Sequence, residues 1–179
     1  LIKQNFFKKK IGLHSILVPV GIVSGVKKTI NKTFSIKWPN DIIFKNKKIC
    51  GILIESKSYQ NSIYLNIGFG INVNEDYKNF PPEIKNNATS IKAILENEVQ
   101  REVLLANILN SIDALLINKN EKEIIDDWIN YCSHINKTIN VQYKKNIINA
   151  KFKTINHKGQ AILNYNNKDM IFDGAILNI

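Results

Sequence analysis

Residues 37–55, KWPNDIIFKNKKICGILIE, restrict the fold more than any other part of this 179-residue chain. Two short runs rich in β-branched and aromatic residues, 42–44 and 49–54, stand on either side of Lys45-Asn46-Lys47. Apolar runs of that length split by a polar turn predict an antiparallel hairpin. Trp38-Pro39-Asn40-Asp41 before it is turn chemistry. Proline drives the preceding residue to extended backbone, and Asn-Asp favours a tight turn. The segment is apolar enough to be buried, yet it carries Asp41, Lys48 and Gly51. Buried polar groups need a partner or a task, so any chemistry is expected here.

Composition narrows the function classes. A formal net charge of +10 first suggests nucleic acid. Of the 25 basic residues, however, only Arg101 is an arginine. Lysine, asparagine and isoleucine are abundant in every region, as a drift of the whole composition would produce. Forked arginine contacts to phosphate or guanine are almost unavailable, so an RNA-binding module is the weaker reading. Cys50 and Cys132 lie far apart with no metal-ligand spacing, and they are expected to act as small apolar residues in a reducing cytoplasm. No run approaches the ~20 apolar residues that span a bilayer. Residues 11–26 are apolar but interrupted by His14, Ser15, Pro19 and three glycines. They predict a buried helix rather than a secretory leader or a membrane segment.

Along the chain the fold class is α+β. Residues 1–7 suggest the end of a strand. Residues 11–30 predict one long buried helix, kinked or missing a bond at Pro19. Strands are expected over 33–38, 42–44, 49–55 and 62–67, the last running into Gly68-Phe69-Gly70-Ile71-Asn72. A long loop over 74–89 precedes a short helix at 90–95 capped by Thr89. Apolar residues at helical spacing predict helices over 101–117 and 121–131, with Trp128 on the buried side. From about residue 138 the pattern changes to short alternating strands over 139–143, 147–155, 160–165, 169–172 and 175–179. These suggest a small SH3-like β module. The expected organisation is a core domain over 1–137 and a β module over 138–179.

Three groups could carry chemistry. Asp41, on a rigid turn, could hold a magnesium ion beside phosphates, or simply cap the turn. Lys48 enters an apolar run, where an ammonium could stabilise charge that develops on a phosphate or carboxylate. Lys45 and Lys47 read as solvated tip residues. About 10 Å of strand separates Asp41 from the turn, at ~3.3 Å per residue, so Asp41 and Lys48 are expected to flank a ligand rather than pair. Gly51, Gly68 and Gly70 could let a ligand approach the main chain, or mark bulges. Asn72 offers a donor and an acceptor that could match an adenine edge. Neither a Walker loop nor GxGxxG is present.

KWPND, then KxxGIL starting at Lys48, then GFGIN resemble the catalytic domain of bacterial biotin–protein ligases in order and spacing. The resemblance runs over essentially the whole chain and is most specific over residues 37–72. It implies a mixed β-sheet packed with helices, the class II synthetase-like biotin–lipoate ligase fold, followed by the SH3-like module. It also implies an ATP-dependent enzyme that makes biotinyl-5′-AMP and transfers biotin to a lysine of a biotin carboxyl carrier protein. ATP, Mg2+ and biotin are the implied ligands. By position, Lys48 resembles the essential lysine at the biotin carboxylate and α-phosphate, and Asp41 the acidic residue tied to magnesium. Asn72 resembles the adenine contact, with Asn40 and Lys37 as polar support for the nucleotide. Leu53, Gly68 and Gly70 resemble the wall and floor of the biotin pocket. A homodimer is left open, and neither nucleic acid nor membrane is an expected partner. The family's Gly-Arg loop and its Ser/Thr/Gln groups for the biotin ring would precede Leu1. The resemblance therefore implies a chain truncated just after that loop, with adenylate formation expected of the intact protein and little or no activity expected of residues 1–179 alone. A lipoate or octanoate ligase or transferase of the same fold is the alternative.

Overall fold

The hairpin expected over 42–55 forms the middle of a four-stranded sheet. In the computed structural model, which describes residues 11–60, 62–143, 145–174 and 177–178, the strands are β1 (Ser35–Lys37), β2 (Asp41–Phe44), β3 (Lys47–Tyr59) and β4 (Ser62–Ile71). They lie in sequence order, and every neighbouring pair is antiparallel. The mixed sheet implied by resemblance is thus antiparallel among the described strands. Parallel pairing is confined to two isolated bridges, Ile36–Cys132 and Lys48–Ala88. Short connections explain this, because a two- or three-residue turn can only return the chain antiparallel. The strand end expected at residues 1–7 lies outside the described residues.

One face of the sheet is covered by helices. Helix α1 (Ile11–Ile30) runs uninterrupted through Pro19 and packs against α4 (Arg101–Asn118) and α5 (Glu121–Tyr131). Glycines permit the α1–α4 contact. A Cβ added at Gly25 would fall 2.4 Å from the Ile108 Cα, and one at Gly21 2.4 Å from the Ile112 Cγ1. By length and composition α1 could cross a membrane over residues 12–30. Here Ile16, Leu17, Val18, Val20, Ile22 and Val23 are almost wholly buried inside the protein. Cys50 and Cys132 are free. Burial pushes their thiols up, to about 12 and about 11, so neither is a ready thiolate.

The segment after β4 is more ordered than a loop. It contains a 3-10 turn at Tyr77–Asn79, helix α2 (Pro82–Lys85) and helix α3 (Ile91–Leu95). Ser90, not Thr89, caps α3. The Ser90 Oγ accepts from the Ala93 N–H at 3.1 Å and donates to the Glu75 carbonyl at 2.7 Å. Thr89 is engaged elsewhere, its N–H donating to the Lys48 carbonyl at 2.9 Å.

Residues beyond 137 form a second antiparallel sheet, whose order is Lys168–Phe172, Ala161–Tyr165, Asn146–Ile155, Thr138–Tyr143 and Leu177–Asn178. Its strands are β5 (Thr138–Tyr143), β6 (Asn146–Ile155), β7 (Ala161–Tyr165), β8 (Lys168–Phe172) and β9 (Leu177–Asn178). The two sheets share one apolar core, with Phe152 of β6 between Trp38 and Trp128 at ring-centroid distances of 6.3 and 6.4 Å. Two further ties hold β1 to this second half. The Trp38 indole N–H donates to the Gly159 carbonyl at 2.9 Å. Ser133 donates to the Ile36 carbonyl from its backbone N–H at 2.9 Å and from its hydroxyl at 3.2 Å.

His134 lies at the same junction. It is 1% exposed, its ring is 5.5 Å from Phe152, and its Nε2 has no hydrogen-bond partner among the described residues. Burial, then the positive charges of Lys37 and Lys137, pull its pKa from 6.5 down to about 4. Between those values the unfolded chain binds a proton that the native state refuses. Stability is therefore complete above about pH 6.5 and falls as pH drops, by at most ~3 kcal/mol near pH 4. Urea unfolding of the protein and of His134→Leu from pH 7.5 to 4 checks this. The variant should lose less stability over that range, and parallel curves would remove His134 as the cause.

Candidate active site

Strand register assembles one row across the sheet. Lys37 of β1 is opposite Asp41 of β2, Asp41 is opposite Gly51 of β3, and Gly51 is opposite Gly70 of β4. Directly opposed residues in an antiparallel pair point to the same face. Leu53 and Gly68, the next pair outward, belong to that face too. It is the face turned away from the α1 core, and its glycines leave the middle bare.

Lys48 reaches this face because of a β-bulge. Strict alternation from Gly51 would send Lys48 to the opposite side, with the buried Cys50 and Ile52. The register slips between Ile42 and Ile43, so Ile42 opposes Cys50 but Ile43 opposes Lys48. Ile49 becomes the extra residue, and Lys48 shares a face with Asp41. Bulges commonly re-aim a side chain in this way. The extra residue is held by backbone partners. The Asn72 N–H donates to the Ile49 carbonyl at 2.9 Å, and the Lys48 N–H donates to the Asn87 carbonyl at 2.7 Å.

The result corrects one expectation. The Lys48 Nζ lies 2.6 Å from the Asp41 Oδ1, so the two form an ion pair instead of standing apart. Distance along one strand misled, because the two-residue turn at Lys45-Asn46 folds β3 back and the bulge turns the lysine inward. Both groups keep access to solvent, with side chains 49% and 22% exposed. Gly51 makes room for them. A Cβ there would stand 3.2 Å from the Lys48 Nζ and 3.8 Å from the Asp41 Oδ1. At Gly70 an added Cβ would meet nothing within 4 Å, which marks open floor.

Above this floor is an open cleft of about 920 Å³, lined by Lys37, Asp41, Lys48, Gly51, Gly70 and Asn72 among others. That volume suits a nucleotide-sized ligand. The tip residues Lys45, Asn46 and Lys47 also line it; Lys45 and Asn46 are exposed, as expected of a turn, and Lys47 is half-buried. Its outer wall is Ile84, Asn86, Asn87 and Ala88, from the segment expected as a long loop. The Pro81-Pro82 start of α2 was the available signal for a built wall there. The Asn72 amide donates to the Thr89 carbonyl at 3.1 Å, leaving its oxygen and one N–H for other partners. Three expected site residues fall outside the lining. Asn40 is tied down, donating to the Ile52 carbonyl at 2.8 Å. Leu53, 61% exposed, and Gly68 continue the same sheet face beyond the cleft.

Four lysines and a single carboxylate line the cleft, a field that favours an anionic ligand. No group of three or more His, Cys, Asp or Glu that could hold a metal exists among the described residues. Asp41 alone fits magnesium that arrives with a nucleotide, since Mg2+ is commonly held by one or two carboxylates plus phosphate oxygens.

The site is thus a basic cleft over a bare-glycine sheet face, with one lysine re-aimed into it by a bulge. Residues 3–72 match the model of the Biotin/lipoate A/B protein ligase family. Over 96 residues it is 35% identical to the bifunctional ligase/repressor BirA of Bacillus subtilis strain 168, and likewise to that of Bacillus spizizenii. That match includes 53% of this chain and 30% of each relative, so the chain spans under a third of the length of these curated relatives. Among solved structures, biotin protein ligase of Aquifex aeolicus in complex with biotin and ATP superposes with a TM-score of 0.78 at 24% identity, over 96% of this chain and 73% of that one. The Leishmania major enzyme with biotinyl-5-AMP gives 0.57 at 18% identity, over 94% and 74%. These likenesses establish the α+β fold with antiparallel sheets.

Proposed function

We propose that the cleft binds biotin and MgATP, joins them as biotinyl-5′-AMP, and passes the biotinyl group to a lysine of a biotin carboxyl carrier protein. The observation that carries this reading is the bulge-directed Lys48–Asp41 pair above the bare floor of Gly51 and Gly70. In the first step a carboxylate oxygen of biotin attacks the α-phosphorus. The bond from that phosphorus to the bridging oxygen breaks, and pyrophosphate leaves with the electron pair. In the second step the acceptor amine attacks the acyl carbon and AMP leaves.

Lys48 can exchange Asp41 for the ligand's carboxylate and α-phosphate, holding negative charge where it grows. Asp41, released from the pair, would hold magnesium carried by the nucleotide. The free amide groups of Asn72 suit an adenine edge, Lys37 adds positive charge, and Asn40 braces the turn that mounts Asp41. Leu53, Gly68 and Gly70 offer an apolar edge and flat floor for the fused biotin ring. We further take residues 1–137 as the catalytic part and 138–179 as an SH3-like module, with a cytoplasmic location and a possible homodimer.

The family description also names lipoate ligases, so acyl choice is the informative test. Biotin should support acid-dependent exchange of labelled pyrophosphate into ATP at micromolar concentration, with lipoate and octanoate at least tenfold poorer, an order-of-magnitude expectation for a pocket that hydrogen-bonds one ligand. Faster exchange with lipoate would reassign the substrate.

A further inference from the structure

We propose that Lys47 and Lys85, both over the Tyr77 ring, together with Lys45 at the hairpin tip, form a subsite for the terminal diphosphate of the nucleotide and for the pyrophosphate it becomes. This rests on the adenylation reading above and assigns a task to residues that reading leaves unused.

Lys45 and Lys47 line the cleft from the hairpin tip, and Lys85 ends the helix that carries the cleft-lining Ile84. The ammonium groups of Lys47 and Lys85 both lie over the Tyr77 ring, at 5.2 and 5.3 Å from its centroid. Lys45 lies over Phe44 at 5.6 Å. Among the described residues none of these three has a carboxylate within ion-pair distance, whereas Lys48, Lys92, Lys119 and Lys153 each do. Two cations drawn to one ring without a counter-ion form a site that an anion would stabilise. Both come from segments joined at Lys48 itself. Backbone bonds from Lys48 to Asn87 and from Thr89 to Lys48 hold the α2 segment against the hairpin.

The turn is built against the usual preference. Lys45 has φ 47° and Asn46 φ 66°. A two-residue turn with both φ positive favours Asn, Asp or Gly at each position. Asn46 fits that preference, but Lys45 places a long cationic side chain on left-handed backbone, a cost that often accompanies a functional site. Asp41 and Lys48 line the same cleft as the tip lysines, so a ligand with its α-phosphate at Lys48 could extend its remaining phosphates toward the tip. When the α-phosphorus-to-oxygen bond breaks, the electron pair leaves on pyrophosphate. Lys45, Lys47 and Lys85 would then stabilise that charge.

The test uses inorganic pyrophosphate, AMP and biotin as separate titrants in calorimetry on the whole protein with magnesium. In the triple variant K45Q/K47Q/K85Q the Kd for pyrophosphate should rise at least about tenfold. The KM for ATP should rise in parallel, while the Kd values for AMP and for biotin stay unchanged. Unchanged pyrophosphate affinity in a folded triple variant would overturn the subsite, as would wild-type protein that fails to bind pyrophosphate. An equal loss of AMP affinity would overturn it as well, showing a general field rather than a subsite. Pyrophosphate bound through these lysines by a protein that makes no adenylate would uphold the subsite and refute the adenylation reading.

Discussion

Lys48→Ala is expected to reduce biotinyl-5′-AMP formation by roughly 100- to 1000-fold, the scale seen when a positioned charge-stabilising group is removed. The fold should survive. The Lys48 side chain is half exposed and its ion pair with Asp41 is of the surface type, worth about 0–1 kcal/mol. The strand around it is held by Ile49, Cys50 and Ile52, all buried. Thermal melting followed by circular dichroism should therefore match the parent within a few degrees, while kcat falls. Parent-like turnover would remove Lys48 from the chemistry and leave the pair as surface decoration. Removing the charge should weigh on kcat, because the charge it meets is greatest at the reacting phosphorus.

Gly70→Val separates stability from function in the opposite way. A Cβ at Gly70 meets nothing within 4 Å, and valine suits a strand better than glycine by up to about 1 kcal/mol. The variant should fold as well as the parent or slightly better. Its two methyl groups would nevertheless stand on the cleft floor, where overfilling a tight contact costs about 1–3 kcal/mol. Ligand affinity should fall roughly 10- to 100-fold, measured by titration with biotin and with ATP. A stabilised variant with unchanged affinity would show that the ligand does not lie on this face. The same substitution at Gly51 would be a poorer test, because it would press on Lys48 and confuse steric exclusion with a displaced lysine.

Much of the fold is legible in the sequence because local rules and tertiary demands agree. The long apolar run 11–30 needs a buried face all round and becomes the central helix α1. Asn120 and Glu123 start α5 with a capping box, so that helix begins where its pattern does. The site is legible only as a set of residue types. KWPND, Lys48, the paired glycines and Asn72 identify which groups matter, but period-2 alternation puts Lys48 on the wrong face. One extra residue at Ile49 reverses it, and nothing in the local sequence marks Ile49 as that residue. The outer wall was equally hidden. Ile84 and Ala88 join the cleft through backbone bonds between Lys48 and residues 87–89, a pairing with no sequence period. The cap of α3 failed for a related reason. Thr89 and Ser90 are both capping residue types, serine the stronger, and the backbone bond to Lys48 commits Thr89 elsewhere.

The most direct measurement is mass-spectrometric detection of biotinyl-5′-AMP after the purified intact protein, carrying the loop and biotin-ring groups that the resemblance puts before Leu1, is mixed with biotin and MgATP. The adenylate should appear with the parent, require both substrates, and drop at least about 100-fold with Lys48→Ala. Its absence with the parent, or its undiminished formation by Lys48→Ala, would contradict a site built on the lysine that the bulge turns into the cleft.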